Sequence, residues 1–346
     1  MGWRMTPRPL ETHIGWTSKD VADPDVWTVT LTPQDHRELD HALARAKLKS
    51  DNLLDIGREH FPLDGLAHKL DGIARELIDG RGFTRISALD ASRYDDDDLT
   101  MLYWGIGLYL GDPWPQNAKG HVMGDVTDQG KRLDDPTFRG NELGQVALDY
   151  HTDGADVIGL MCLRKAARGG LSCVANAVAI YNEMVAKRPD LAALLFEPQP
   201  YDLRGEQAPG GKPFYLFPVF TEHRGRFFIR FIPAYIRASQ RHAEAPRLTP
   251  QVLEALDMVS AMAREPRFNV VMDLEPGEMQ FINNYHVLHG RTSYTDDAAS
   301  GRKRHLKRLW LATHALEDRP PHFRKNVDHH WAKNRSVSRI AAVPVN

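Results

Sequence analysis

The sequence predicts a mainly β fold with flanking helices (α+β), built on an antiparallel sandwich or jelly roll. Three observations point there. Short β-branched and aromatic runs recur at 157–163, 172–177, 214–220, 226–231, 268–274, 278–282 and 305–313. Turn-forming pairs separate many of them: Gly169-Gly170, Gly210-Gly211 and Pro276-Gly277. Helical periodicity gathers in the first third, at 32–54, 66–79 and 94–110, and interrupts the strands only at 178–187 and 249–264.

Residues 1–30 hold Trp3, Trp16 and Trp27 among prolines and polar residues, and predict an irregular arm packed on something larger. Thr32-Pro33-Gln34-Asp35 supplies an N-cap followed by proline in the first turn. Leu39, Ala42, Leu43, Ala46 and Leu48 then recur at helical spacing. Gly80 and Gly82 end the second helix, and Phe83-Thr84-Arg85-Ile86 alternates as a strand should. Asp95 to Asp98 read as acidic first-turn residues favoured by the helix dipole rather than as a cation site. Without an internal repeat or a linker, the chain divides as one domain over 1–346. It has a helical arm at 1–80, a core with helical insertions at 82–315 and a basic, His-rich tail at 320–346 containing His329-His330.

Composition narrows the function. Hydrophobic residues make up 42% of the chain, enough for a sizeable core, and the net charge is −2. That balance lacks the basic surplus of a nucleic-acid binder, so no nucleic acid is expected as a partner. No apolar run reaches bilayer-spanning length and no signal peptide opens the chain; Met1-Gly2 with Thr6 meets only a loose myristoylation pattern. The two cysteines, Cys162 and Cys173, suit small core positions in a reducing cytoplasm. A soluble cytoplasmic protein is the expectation, with no membrane partner and dimerisation as the default homo-oligomer.

His151-Thr152-Asp153 is the tripeptide with most chemistry in it. On extended backbone, side chains at i and i+2 point the same way, so one imidazole and one carboxylate can grip one metal ion. Alone, the pair reads as a surface turn rather than a metal site. A third ligand would come from a later strand, and the stretch 276–291 offers His286 and His289. Two His and one carboxylate on one face of an octahedron leave three positions open, as in non-haem Fe(II) oxygenases. Further on, alternation places Arg304, Leu306 and Arg308 on one strand face. An arginine turned into a barrel needs an anion, and its planar fork suits a carboxylate; a solvated basic strand is the plain alternative.

Taken in order, His151-x-Asp153, Gly169-Gly170-x-Ser172, Phe281-x-Asn283-Asn284-x-x-x-x-His289-Gly290-Arg291 and Arg304-x-x-x-Arg308-x-Trp310 resemble the taurine dioxygenase/TfdA-type family of Fe(II)- and 2-oxoglutarate-dependent oxygenases. The resemblance runs over residues 82–315. It implies a double-stranded β-helix (a cupin-like jelly roll) with Fe(II) held by His151, Asp153 and His289, leaving His286 as a non-ligand. It implies that Arg304 binds the distal carboxylate of 2-oxoglutarate, with Ser172 standing where members commonly have a threonine. Arg308 matches a position that contacts the substrate's anionic group in taurine dioxygenase. Gln116 and Asn117 fall where members build the substrate lid. The implied reaction consumes O₂ and 2-oxoglutarate, releases succinate and CO₂, and hydroxylates a small molecule; desaturation and ring closure are the variants. Asp153 argues against halogenation, since halogenases of this type lack the carboxylate.

Tyr103, Trp104, Phe217 and Tyr235 are candidates for a pocket lining or for plain core. Two rival readings keep the scaffold: a Zn²⁺- or Mn²⁺-dependent jelly-roll isomerase or epimerase, and a non-catalytic binding protein. Arg304 counts against the first, and the complete ligand set against the second. The substrate expected from Arg308 is an anionic or amino-acid-like metabolite.

Overall fold

The computed structural model describes residues 6–131, 140–142, 144–297, 303–316, 319–323 and 336–337. Met1-Gly2, Trp3, Arg302 and the His329-His330 tail lie outside the described residues.

Two sheets face each other. The larger contains β1 (Thr28–Thr30), β2 (Phe83–Ser87), β3 (His121–Val126), β5 (Val157–Arg164), β8 (Met279–Asn283) and β10 (His305–Ala312), after β4 (Leu148–His151), β6 (Ser172–Asn176), β7 (Asn269–Met272) and β9 (Val287–Arg291) are set aside for the smaller. The first runs β1-β2-β8-β5-β10-β3 and then Ser336–Val337, with Asp112–Pro113 on the free part of β10; the second runs β7-β6-β9-β4. Apart from the β1/β2 pair and the Ser336–Val337 edge, every pairing in these sheets is antiparallel.

Register decides which side chains meet. Phe281, Gly159 and Leu309 share one row of the large sheet and point outward. They pack on the N-terminal helices α1 (Pro33–Lys49), α2 (Gly65–Asp79) and α3 (Asp96–Gly107) through Leu102, Tyr103 and Ile106. The adjacent row, Gln280, Leu160, Arg308 and Gly124, faces inward. Between the sheets, Ile158, Ile282 and Trp310 of the large sheet close on Val174, Met272 and Val287 of the small one. The outer face of the small sheet, Ala175 and Leu288, is covered by helices Ala177–Lys187 and Pro250–Arg264.

Local chemistry explains most boundaries. Thr32 and Asp35 form the capping box of α1, with Pro33 in its first turn. The helix stops at Lys49, short of the predicted 54, because Ser50 and Asn52 turn to local bonds: Ser50 Oγ donates to Asp55 and accepts from the Asn52 amide. Asp95 caps α3, while Asp96 and Asp98 pair with Arg164 and Lys47, so the four aspartates build a helix start. The predicted strand at 214–220 is two: Phe214–Pro218 pairs with Pro198–Asp202, and Phe220–His223 pairs with Arg226–Ile229. The break falls after Pro218, which has no amide hydrogen to continue a ladder. The N-terminal arm buries Trp16 and Trp27 against Phe83, and contributes β1 beside β2.

Candidate functional site

His151 is the last residue of β4 and pairs across the sheet with His289 of β9. Asp153 lies two residues beyond the strand, where nothing in the ladder holds it. Two clamps do. Thr152, between His151 and Asp153, donates its amide to the Phe231 carbonyl (2.7 Å) and accepts the Phe231 amide on Oγ1 (2.9 Å). The buried Asn284 accepts the Asp153 amide on Oδ1 (2.7 Å) and donates Nδ2 to the carbonyls of Asp153 (2.8 Å) and Ala155 (2.7 Å).

The result is a convergent trio. Ligand atoms of His151, Asp153 and His289 lie within 4.8 Å of one another, and the two imidazole centroids are 4.3 Å apart. His289 Nε2 is 3.7 Å from Asp153 Oδ2. His151 Nδ1 donates to the Asp149 carbonyl (2.9 Å), which fixes the tautomer and leaves Nε2 as a lone pair toward the trio. Burial, the neighbouring His151 and Arg308 push the His289 imidazole down to about 3, so it is neutral and able to ligate. Burial works to raise the Asp153 carboxyl. Arg308, both histidines and the Trp310 indole outweigh it and hold the group well below the usual carboxylate range. Arg308 Nη1 and Trp310 Nε1 both donate to Asp153 Oδ2, each at 3.0 Å, leaving Oδ1 for an ion. Neutral imidazoles with one oriented carboxylate fit a divalent transition metal.

Arg304 directly precedes β10, the strand that carries Arg308 and Trp310 to Asp153. It is only 5% exposed. Its Nη2 donates to the Gly170 carbonyl (3.0 Å), the Tyr294 ring lies 5.4 Å from the guanidinium carbon, and Nη1 has no partner among the described residues. No carboxylate pairs with it there. Burial and the nearby Arg291 pull it down to about 10, still a cation at neutral pH. An orphaned buried guanidinium is costly unless an anion arrives, and a dicarboxylate fits that need. Gly170 makes room: at φ +72° a side chain is strained, and a Cβ would lie 2.6 Å from Arg304 Nε. Ser172, on the smaller sheet, donates its hydroxyl to Gln280 of the larger one.

The other expected residues fall into two groups. Gln116 and Arg308 line a cavity of about 550 Å³ in front of the trio. Both are engaged: Arg308 Nε donates to Gln116 Oε1 (2.9 Å), and Gln116 Nε2 donates to the Arg308 carbonyl (2.8 Å). Gly124 permits this, since a Cβ there would meet Gln116 Oε1 at 2.5 Å. Asn117 caps its own turn, accepting the Lys119 and His121 amides, and is not among the cavity-lining residues. Phe217 and Tyr235 line the cavity, whereas Tyr103 and Trp104 are core. His286 points away from the trio, bonded to Asn283 Nδ2 (3.1 Å). Sequence reasoning missed the Asn284 clamp, the Trp310 bond to Asp153 and Arg230, which donates to the Asp153 carbonyl (2.8 Å). Arg230 had one legible signal, as the lone charge in the run Phe227-Phe228-Ile229-Arg230-Phe231-Ile232.

Residues 44–310 match the taurine catabolism dioxygenase TauD, TfdA family. The chain belongs to this family. It is a 2-oxoglutarate-dependent non-haem iron oxygenase on a jelly-roll core. Among curated relatives of this TauD/TfdA member, FR-33289 synthase of Streptomyces rubellomurinus is 30% identical over 88% of this chain and 90% of its own. Uridine-5'-phosphate dioxygenase of an Amycolatopsis species is 26% identical over 72% of this chain and 92% of its own. The solved structure of the non-haem iron oxygenase OrfP with Fe and alpha-ketoglutaric acid shares the fold at a TM-score of 0.62, with 18% identity over 83% of this chain and 93% of that one. Among the described residues, no helix is long and apolar enough to cross a membrane.

Proposed function

We propose that this enzyme hydroxylates a small anionic molecule in front of an iron ion held by His151, Asp153 and His289, with 2-oxoglutarate anchored at Arg304. The observation that carries the reading is the buried Arg304 guanidinium, without a carboxylate partner among the described residues, directly before the strand whose Arg308 and Trp310 reach Asp153 of the His/Asp/His trio. A metal-dependent isomerase has no use for that second, unfilled charge. The chemistry supplied at such a site is oxidation of a substrate C–H bond by O₂, coupled to decarboxylation of 2-oxoglutarate to succinate and CO₂.

The chain's own part is placement and exclusion of water. Trp310 and Arg308 fix the Asp153 carboxylate, Gln116 fixes Arg308, and Asn284 with Thr152 fixes the backbone between the ligands. Ser172 and Gln280, hydrogen-bonded to each other from the two sheets, offer further polar groups for 2-oxoglutarate. Trp114, Tyr215, Phe217 and Ile232 wall the cavity against solvent. An anionic substrate is supported by the name of one relative, a uridine-5'-phosphate dioxygenase, and by a cavity lined by Arg230, which no carboxylate pairs with among the described residues. The free buried thiols Cys162 and Cys173 support a reducing, cytoplasmic setting.

The test is Fe(II)-dependent succinate formation from 2-oxoglutarate under O₂. The protein should release succinate, and Asp153→Ala should release none while remaining folded. Undiminished turnover in Asp153→Ala refutes the ligand assignment.

A further inference from the structure

The cavity in front of the trio contains a cation that no carboxylate pairs with among the described residues. Arg230 lines that cavity and is 9% exposed. Its Nη1 donates to the Asp153 carbonyl and its Nη2 to the Tyr215 hydroxyl, both at 2.8 Å. Nε has no acceptor, and no carboxylate pairs with the group, among the described residues. A guanidinium carries five N–H donors, so most of the fork is uncommitted.

Several other charges around the cavity have opposite charges of their own. Arg308 is bound to the Asp153 carboxylate at 3.0 Å. Asp202 is held by Arg241 and His242, and Asp149 by Arg264. Arg204 lies over the Tyr235 ring, 4.8 Å from its centroid. Arg308, the residue that sequence resemblance offered as the anion contact, is therefore already neutralised, and Arg230 is not.

Place and shape agree with that chemistry. Arg230 is hydrogen-bonded to the backbone of the residue whose carboxylate faces the metal position, so an anion on its fork would be held beside the reacting centre. Gly154 keeps the approach bare: a Cβ there would lie 2.9 Å from the Trp310 ring and 3.8 Å from Arg230 Nη1. Phe217 and Tyr215 stand 5.7 and 5.9 Å from the guanidinium carbon, giving low-dielectric walls in which an ion pair is strengthened. A planar fork suits oxygens of a carboxylate or a phosphoryl group.

We infer that Arg230, with the Tyr215 hydroxyl, binds the anionic group of the substrate and so selects for molecules bearing a compact carboxylate, phosphate or phosphonate. The inference rests on the oxygenase reading of the same cavity and adds the residue that reads the substrate's charge.

The experiment is calorimetric titration of anaerobic protein loaded with Fe(II) and saturating 2-oxoglutarate, so that Arg304 is occupied. The probes are methylphosphonate, acetate and methanesulfonate. The wild type should bind at least one of them, and which binds tightest identifies the tetrahedral or planar anion class. Arg230→Met should weaken that binding tenfold or more, and Arg230→Lys less. Tyr215→Phe should weaken it by a smaller factor and serves as the second variant if Arg230→Met fails to fold. Absence of anion binding in the wild type, or unchanged binding in Arg230→Met or in both Arg230→Lys and Tyr215→Phe, overturns the inference. The visible absorption of the Fe(II)–2-oxoglutarate complex is read in the same samples. Its absence from the wild type would count against the oxygenase reading, while its presence alongside unchanged anion binding in Arg230→Met counts against Arg230 alone.

Discussion

Replacing Arg304 with methionine separates a cosubstrate anchor from a structural arginine. Arg304 contributes one direct hydrogen bond to the folded protein, Nη2 to the Gly170 carbonyl, and a ring contact with Tyr294. Against these stands a buried charge without a carboxylate partner among the described residues. Losing the bond costs about 1 kcal/mol, while exchanging an uncompensated buried cation for an apolar side chain of similar length is neutral or stabilising. Thermal unfolding without 2-oxoglutarate should therefore stay within a few degrees of the wild type. Binding of 2-oxoglutarate should suffer far more. Truncating one partner of a buried, hydrogen-bonded charge pair costs about 2–5 kcal/mol, which corresponds to a loss of roughly 30-fold to several thousand-fold. Fe(II) affinity should change by no more than a few-fold, because Arg304 contacts none of the trio. The assay is anaerobic titration of Fe(II)-loaded protein with 2-oxoglutarate, alongside thermal melts with and without it. Unchanged 2-oxoglutarate affinity refutes the assignment of Arg304; a collapse in stability without cosubstrate refutes the view that its charge is unneeded for folding.

Asn284→Ala strands the Asp153 amide and the Ala155 carbonyl, each a buried group worth about 1–3 kcal/mol when unsatisfied. Chemical unfolding should show a loss of about 2–6 kcal/mol, and iron affinity should fall about 10–100-fold because Asp153 is no longer held; unaltered iron affinity would contradict the clamp. His286→Gln should still bind one iron per chain. Burial pushes the His286 imidazole down to about 4 from an ordinary 6.5, so the unfolded chain takes up its proton first on acidification. Wild-type stability in metal-free protein should then fall as pH drops from 6.5 toward 4, with His286 responsible for on the order of 3 kcal/mol, and His286→Gln should flatten that slope. Identical urea-unfolding profiles across that range would show that His286 carries no such cost.

The sequence made the scaffold and the charged landmarks readable, and left the links among them unread. His151, Asp153, His289 and Arg304 stand on or beside short strands, so local pattern offered them as candidates; the resemblance to a known family, not the pattern, preferred them to a surface turn, to His286 and to a solvated arginine. The supporting bonds depend on tertiary pairing across long separations: Gln116 with Arg308, Arg308 with Asp153, Arg230 with Asp153 and Asn284 with Ala155. No periodicity encodes such partners. Strand β3 went unread because its alternation is broken twice. Gly124 sits mid-strand to admit Gln116, and Asp125 is buried beneath His305 and Lys307 where an apolar residue would be expected. Arg308 was nominated as a substrate contact by its place in the chain; it does line the cavity, and its bond to the Asp153 carboxylate was not readable from that place.

The most direct test is an anaerobic titration of metal-free protein with Fe(II) and then 2-oxoglutarate, following the weak visible charge-transfer absorption of the chelate. The account predicts one iron per chain and the appearance of that absorption in the wild type. It also predicts no absorption in His289→Ala, and a requirement for far more 2-oxoglutarate in Arg304→Met. Iron bound at one per chain with no absorption at any 2-oxoglutarate concentration would contradict it, and would return the site to a non-redox metal enzyme.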